Sequence, residues 1–321
     1  MAAKTKFELK MGMSTREAFG KTLVEVGKKN PNVVALDADL SKSTMTHWFA
    51  KEFPDRFFEC GIAEANMVSI AGGLAAAGKI PFAASFSCFL LNKTFEQLRV
   101  SAAYPGFNVK VVGTHSGISI GEDGPSQMSV EEISLACSLP GFVVLAPADE
   151  VATAALVEAA AEHVGPVFLR AGRPKVPVVY TPGQKFEIGK AVELIEGGDV
   201  TLIANGMMVA EAIRAADLLD AEGVSARVID IHTVKPLDRE AIAKAASETG
   251  AIVVAEEHLA DAGLGVRVAQ VVTETAPCAM EFVGVRDTYA ESGSTDGLLD
   301  KYGLRGGDIA AAARRALARK R

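Results

Sequence analysis

The sequence predicts an α/β protein with two consecutive, mostly parallel sheets and helices on both faces of each sheet. Short runs of β-branched residues alternate with longer amphipathic stretches along the 321 residues, as parallel strands joined by helices require. At 172–186 the alternation stops in a stretch with three prolines and two glycines, which we interpret as an interdomain linker. The predicted domains cover residues 1–180 and 188–321.

The first predicted domain contains four strand-like runs and two helix starts. The strand-like runs begin at Asn32, Phe107, Phe142 and Pro166. Ser14 and Glu17 form a capping-box pattern, which predicts a helix that begins there with Phe19 on its apolar face. Ser129 and Glu132 repeat the pattern and predict a second helix start.

The second predicted domain repeats the same alternation. Strand-like runs occur near residues 201, 227, 251 and 281, and a helix is expected near 208–221. Such alternation predicts parallel strands joined by helical crossovers.

Composition excludes several classes of function. Hydrophobic residues make up 49% and charged residues 23%, which permits a large core and disfavours wholesale disorder. The formal net charge of −7 disfavours nucleic acid as a partner, and no apolar run reaches the roughly 18 residues of a membrane span. The beginning of the chain has no apolar core typical of a secretory signal, and the four cysteines are scattered. We therefore expect a reduced, cytoplasmic, soluble protein.

Glu64 is the first candidate for chemistry. The segment 60–79, CGIAEANMVSIAGGLAAAGK, places it in the first turn of a predicted helix among apolar or small neighbours. Desolvation there should raise its pKa, which suits a carboxyl group that shares a proton. The alternative is a glutamate that only complements the helix dipole.

Two further segments carry candidate site residues. Phe86 and Phe89 are three residues apart, so on a helix they would share a face and could stack on a flat ring, although ordinary core packing is the alternative. In GTHSGISIGEDGPSQMSVEE at 113–132, a histidine and an acidic pair lie in a glycine-rich loop after a predicted strand. Such loops hold ligand sites in α/β sheets, whereas a solvated surface turn is the other possibility.

In this order and spacing, the segments resemble the thiamine-diphosphate-dependent transketolases over nearly the whole chain. The matching motifs are ADLSKST, GIAEANM, SFSCF with TFEQLR, GEDGPSQ, LRAGRP and VKPLD. The resemblance implies a pyrimidine-binding domain followed by a transketolase C-terminal domain. It implies transfer of a two-carbon ketol unit from a ketose phosphate to an aldose phosphate, and a place in the pentose phosphate pathway.

The resemblance also implies how the cofactor is held. Glu64 matches the glutamate that hydrogen-bonds the aminopyrimidine ring and promotes its imino tautomer, in agreement with the argument from its surroundings. Phe86 and Phe89 match aromatic residues that stack on and flank the pyrimidine. Asp39 matches a residue near the cofactor, and Asn92 stands where some members have an aromatic residue.

Further matches concern the sugar phosphate. The residues that match the cluster around its phosphate are Arg16, Ser43, His115 and Arg173. His115 is also assigned to the catalytic group. Asp123 matches a carboxylate that contacts a sugar hydroxyl, and Gln127 stands where many microbial members have a histidine. A helix start and a planar guanidinium fork both suit an anion.

One expected part is absent from the sequence. Full-length transketolases begin with a diphosphate-binding domain whose G-D-G motif and a later asparagine ligate Mg2+, and this sequence has no G-D-G. The chain therefore resembles the C-terminal subunit of a split transketolase. The resemblance implies Mg2+ ligands from a separate N-terminal subunit and a heterotetramer with two copies of each chain.

Three alternatives remain open at this point. The first is the β subunit of a 2-oxo acid dehydrogenase first component, although such a substrate needs no phosphate cluster. The second is an enzyme similar to deoxyxylulose phosphate synthase, and the third is a non-catalytic regulatory subunit.

Overall fold

Two mainly parallel sheets carry the fold in the computed structural model, which describes residues 7–320. The strands are β1 (Met11–Ser14), β2 (Val33–Asp37), β3 (Phe57–Glu59), β4 (Ile80–Phe86), β5 (Lys110–Thr114), β6 (Val143–Leu145), β7 (Val167–Arg170), β8 (Lys175–Pro177), β9 (Val192–Ile195), β10 (Val200–Ala204), β11 (Ala226–Asp230), β12 (Thr233–Lys235), β13 (Ala251–Leu259) and β14 (Ala279–Val285). The helices are α1 (Thr15–Lys29), α2 (Ser41–Thr44), α3 (His47–Glu52), α4 (Glu64–Ala76), α5 (Phe95–Leu98), α6 (Glu132–Ser138), α7 (Glu150–Glu162), α8 (Met208–Asp220), α9 (Arg239–Thr249), α10 (Leu264–Thr275), α11 (Thr295–Lys301) and α12 (Gly306–Ala318).

The predicted fold class is confirmed. The first sheet has the order β12-β6-β7-β5-β4-β2-β3, and its strands are parallel except for β12, which runs antiparallel to β6. The second sheet has the order β14-β13-β10-β11-β9, with only β9 antiparallel. Because β12 lies in the second half of the sequence, the first sheet takes its edge strand from beyond the linker. No helix within residues 7–320 is long and apolar enough to cross a membrane.

The two predicted helix starts have different outcomes. Ser14 caps α1, and its capping box with Glu17 is confirmed. The prediction for Ser129 is wrong, because α6 begins at Glu132 without a side-chain cap. The backbone carbonyl of Ser129 instead accepts a hydrogen bond from the Gly117 amide at 2.7 Å, in an isolated β-bridge. That pairing keeps Ser129 extended, three residues before the helix.

The linker at 172–186 is tied to both sheets. It contains β8, which pairs with β1 and which the interpretation of this stretch as a linker did not include. Asp149 accepts the backbone amides of Val179 and Tyr180 at 2.7 and 2.9 Å, and the Tyr180 hydroxyl donates to Asp230 at 2.6 Å. Burial raises the pKa of Asp230 to about 8, so Asp230 holds its proton across most of the physiological range. The linker is therefore a fixed connection.

A buried ion network joins the two units. Arg170 at the end of β7 donates through Nε to Glu132 Oε1 at 2.6 Å, and its Nη2 lies 3.3 Å from Glu257 Oε2 on β13. Arg170 is 6% exposed, Glu132 0% and Glu257 3%. Glu257 Oε1 also accepts the backbone amide of Ser119 at 2.6 Å. A Cβ on Gly117 would lie 2.1 Å from the Glu257 carboxyl carbon, so this position in the loop requires glycine.

Replacing Arg170 with methionine should lower the free energy of unfolding by about 3–5 kcal/mol, because two buried carboxylates lose their cation. Arg315→Met is the matched control, since Arg315 pairs with Glu281 on the surface and its side chain is 56% exposed. The control should change stability by less than about 1 kcal/mol. Urea unfolding followed by circular dichroism measures both, and equal effects would contradict the proposed importance of the network.

Candidate active site

The predicted site residues follow the carboxyl ends of adjacent parallel strands. Asp39 follows β2, Glu64 follows β3, Phe89 follows β4, His115 follows β5 and Arg173 follows β7. The chain leaves β2 for β3 on one side and then returns to β4 on the other. Such a reversal opens a crevice at the carboxyl ends of the strands, where α/β sheets bind ligands.

Glu64 is buried at the start of α4, as its sequence context predicts, and is 3% exposed. Its surroundings are not purely apolar, because Lys93 Nζ lies 2.8 Å from Glu64 Oε2. Sequence reasoning missed Lys93, which is 29 residues away along the chain and belongs to no charge pattern around Glu64.

Phe86 and Phe89 stack, but they do not share a helix. Phe86 ends β4, and Phe89 lies in the π-helical turn Cys88–Asn92 that follows. Their ring centroids are 5.7 Å apart with an angle of 11° between the planes. Phe86 also stacks on His115, with centroids 3.8 Å apart. Phe86 is therefore the aromatic link between the two predicted halves of the site.

His115 is held as a neutral imidazole. Its backbone has a φ of 57°, its Nδ1 lies 2.9 Å from the Thr114 hydroxyl, and its Nε2 lies 3.4 Å from Arg16 Nη1. Because arginine only donates, the contact with Arg16 assigns the proton to Nδ1 and leaves the Nε2 lone pair toward the guanidinium. Burial, and then the charges of Arg16 and Arg173, lower the pKa of His115 to about 3.

Two arginines lie near this histidine. Arg16, the second residue of α1, donates to the Ser43 carbonyl at 2.8 Å. Burial lowers the pKa of its guanidinium, and the nearby charge of Arg173 lowers it further. Arg173 donates to the Ile120 carbonyl and lies 3.2 Å from Glu122 Oε2. The predicted phosphate cluster is thus brought together, with Glu122 as an unpredicted anion beside it.

One continuous series of contacts joins the predicted cofactor acid to the predicted phosphate cluster. In order, it runs through Glu64, Lys93, Phe89, Phe86, His115, Arg16 and Ser43. Successive contacts therefore connect a carboxylate, a stack of rings and a cationic end.

Arg173 lies near the cationic end of this series, and four other predicted residues lie outside it. Asp39 is exposed, with a φ of 63°, and its backbone amide donates to Glu59 at 2.7 Å. Asp123 is exposed in the 121–127 loop, and the Gln127 amide oxygen accepts from the Ser126 hydroxyl. Asn92 donates to Glu131 at 2.7 Å.

Asp37 is a residue that sequence reasoning missed. It is fully buried at the end of β2 and accepts hydrogen bonds from the hydroxyls of Thr44 and Thr46 and from the backbone amide of Leu40. Burial raises the pKa of Asp37 to about 6. These bonds shape the 39–46 turn that carries Asp39 and Ser43. An aspartate that ends a fully apolar strand was the available signal.

The side chains present fit one part of thiamine diphosphate. The partly exposed ring of Phe89 and the buried carboxylate of Glu64 offer a flat face and a hydrogen-bond acceptor, which suit a planar aminopyrimidine. Among residues 7–320, no group of three or more His, Cys, Asp or Glu side chains is arranged to hold a metal ion.

Comparison with protein families gives two matches that together cover most of the chain. Residues 11–178 match the family described as "Transketolase, pyrimidine binding domain". Residues 189–309 match "Transketolase, C-terminal domain".

Individual proteins show the same similarity over nearly their full length. The chain is 44% identical to a putative transketolase C-terminal section of Methanocaldococcus jannaschii, over 92% of this chain and 93% of that protein. It is 41% identical to a 6-deoxy-6-sulfo-D-fructose transketolase subunit of Clostridium sp. (strain MSTE9), over 95% of each. A solved structure described as a split gene transketolase, inactive beta4 tetramer, superposes with a TM-score of 0.91 at 49% identity, over 97% of this chain and 100% of that one.

The imidazole of His115 should remain neutral from pH 8 down to pH 5, because burial and two neighbouring arginines lower its pKa to about 3. Histidine NMR resonances followed over this range test the expectation, and the His115→Gln spectrum identifies the signal by its loss. A midpoint near the ordinary value of about 6.5 would contradict it.

Proposed function

This chain belongs to the transketolase family, and from that premise we propose that it is the C-terminal subunit of a split, thiamine-diphosphate-dependent transketolase. The proposed reaction transfers a two-carbon ketol unit from a ketose phosphate to an aldose phosphate. The observation that supports the proposal is the continuous series of contacts from Glu64 to Arg16, which connects a buried carboxylate to a buried histidine and an arginine.

Glu64 and Phe89 hold the pyrimidine end of the cofactor in this proposal. Thiamine diphosphate, when bound, supplies the carbon nucleophile and the electron sink for ketol transfer. The Glu64 carboxylate shares a proton with a ring nitrogen, and burial at the start of α4 keeps water away from that proton. Phe89 supplies the face on which the pyrimidine ring stacks, and the Phe86 ring stacks against Phe89.

His115, Arg16 and Arg173 hold the sugar phosphate. With its proton on Nδ1, the neutral imidazole accepts from Arg16 through Nε2 and so orients that guanidinium for the phosphate. The two guanidinium groups share one region, with the carboxylates of Glu17 and Glu122 near them, and their N–H groups suit the oxygens of a phosphate. Asp123 and Gln127 are proposed to reach the sugar from the 121–127 loop.

A partner chain completes the site. We propose that the Mg2+ ligands and the diphosphate-binding surface come from a separate N-terminal subunit, in a heterotetramer with two copies of each chain. Exposed apolar side chains on β3, before α4 and in the 99–104 segment support burial against another chain; they are Phe58, Ile62, Val100 and Tyr104. The solved relative is described as an inactive tetramer of one subunit, which is consistent with a chain that needs a partner for activity.

The same cation cluster also suits a sulfonated sugar. One relative acts, by its name, on 6-deoxy-6-sulfo-D-fructose. A sulfonate is an anion with three oxygens, as a phosphate group is, so two guanidinium forks suit either group. Sulfonated and phosphorylated ketoses are therefore tested side by side.

Glu64→Gln in the complex with the co-purified partner should lower ketol transfer about 10²–10⁴-fold, because the amide cannot share a proton with the pyrimidine. The assay uses thiamine diphosphate, Mg2+, xylulose 5-phosphate and ribose 5-phosphate, and follows glyceraldehyde 3-phosphate. Glu52→Gln, an exposed change at the end of α3, is the control and should retain activity. Full activity of Glu64→Gln would overturn the catalytic assignment and favour a regulatory subunit.

Arg16→Gln and Arg173→Gln should each raise KM for phosphorylated sugars about 10- to 100-fold, because one hydrogen bond to a charged group is worth about 1.5–3 kcal/mol. The kcat/KM for an unphosphorylated ketose should change much less. Lys244→Gln, an exposed change on α9, is the control. An equal loss on both kinds of sugar would show that the arginines support the fold instead of the phosphate.

A further inference from the structure

We propose that the Lys93 ammonium group lies where the pyrimidine ring of the cofactor binds, and that it must leave this position when the cofactor binds. This inference rests on the proposed function, since it concerns the same pocket. The Lys93–Glu64 ion pair, called the latch below, then competes with thiamine diphosphate and lowers the affinity of the subunit for it.

The position of the ammonium group carries the inference. Lys93 Nζ lies 2.8 Å from Glu64 Oε2 and 5.1 Å from the centroid of the Phe89 ring. These are the two groups assigned above to the aminopyrimidine, one as hydrogen-bond partner and the other as stacking face. A cation over an aromatic ring and against a carboxylate satisfies both groups while no ring is bound.

The backbone that carries Lys93 is anchored. Lys93 follows the π-helical turn Cys88–Asn92, which is tied to the 127–131 segment at both ends. The Cys88 thiol donates to the Gln127 carbonyl at 3.1 Å, and the Asn92 amide donates to Glu131 at 2.7 Å. This arrangement gives Asn92 a positioning role, because it fixes where the Lys93 side chain begins.

The side chain itself is free to move into solvent. The Lys93 side chain is 51% exposed, whereas that of Glu64 is 4% exposed. Movement of the Lys93 ammonium group into water therefore needs no desolvation. It leaves a buried carboxylate without a cation, which is unfavourable unless another group takes the place of the ammonium. The pyrimidine ring is that group. The apparent affinity for thiamine diphosphate is the intrinsic affinity multiplied by the fraction of subunits in which Lys93 has left the pocket.

Binding of thiamine diphosphate and Mg2+ to the complex with the co-purified partner tests the latch by calorimetry. Lys93→Met keeps the length of the side chain and removes its charge, so the Kd should fall about two- to fivefold, as expected for a partly exposed ion pair. Lys93→Arg keeps the charge and should bind as the unchanged protein does. Lys51→Met, an exposed change on α3, is the matched control and should leave the Kd unchanged.

A second measurement reports on Lys93 directly. Limited acetylation followed by mass spectrometry gives the rate of modification at Lys93, with Lys51 as the internal reference. The rate should rise when the cofactor binds, because the ammonium leaves the carboxylate and enters solvent. It should also rise in Glu64→Gln without cofactor.

The outcomes separate the two proposals. If the unchanged complex binds the cofactor while Lys93→Met binds it equally or more weakly, the latch is overturned and the proposed function stands. Slower acetylation of Lys93 on binding also overturns the latch, since the lysine would then be a cofactor ligand. If the unchanged complex does not bind thiamine diphosphate at all, the proposed function fails and the latch fails with it.

Discussion

The buried guanidinium of Arg170 is the constraint on which the arrangement of this protein depends. It is shared by Glu132 of the first unit and Glu257 of the second, and Glu257 in turn holds the backbone amide of Ser119. One network therefore fixes both the relation of the two sheets and the loop that follows His115. A buried charge without its partner is costly, so neither unit can move away alone without a large loss of stability.

The first sheet determines which side chains lie close together in the crevice. Parallel strands that end at one edge bring together residues far apart in sequence, and Phe86 connects the carboxylate half to the cationic half through its two ring contacts. His115 is kept neutral in an electropositive region, where a charged imidazole would be repelled by Arg16 and Arg173. The result is an electropositive region in which a neutral histidine accepts from Arg16.

The region around Glu64 has the opposite character. It offers a carboxylate and a ring face, but the described residues assemble no metal cluster there. Exposed apolar side chains before and alongside α4 are unfavourable in water and favour burial against another subunit; they are Phe58, Ile62, Val100 and Tyr104. In the proposed assembly, this chain supplies the acid and the sugar site, and its partner supplies the diphosphate end. In the same proposal, Lys93 balances the charge of the buried Glu64 carboxylate until the partner subunit and the cofactor bind.

The sequence by itself determined the fold class and the α1 capping box, because periodicity and local motifs act over a few residues. Its motifs also named Glu64, Phe89, Phe86, His115 and Arg16, which successive contacts connect through Lys93. The tertiary structure decided what depends on distant partners: the extended backbone at Ser129, the edge strand β12 and the pairing of Lys93 with Glu64. No local pattern encodes these features, since each contact joins segments that only packing of the whole chain brings together.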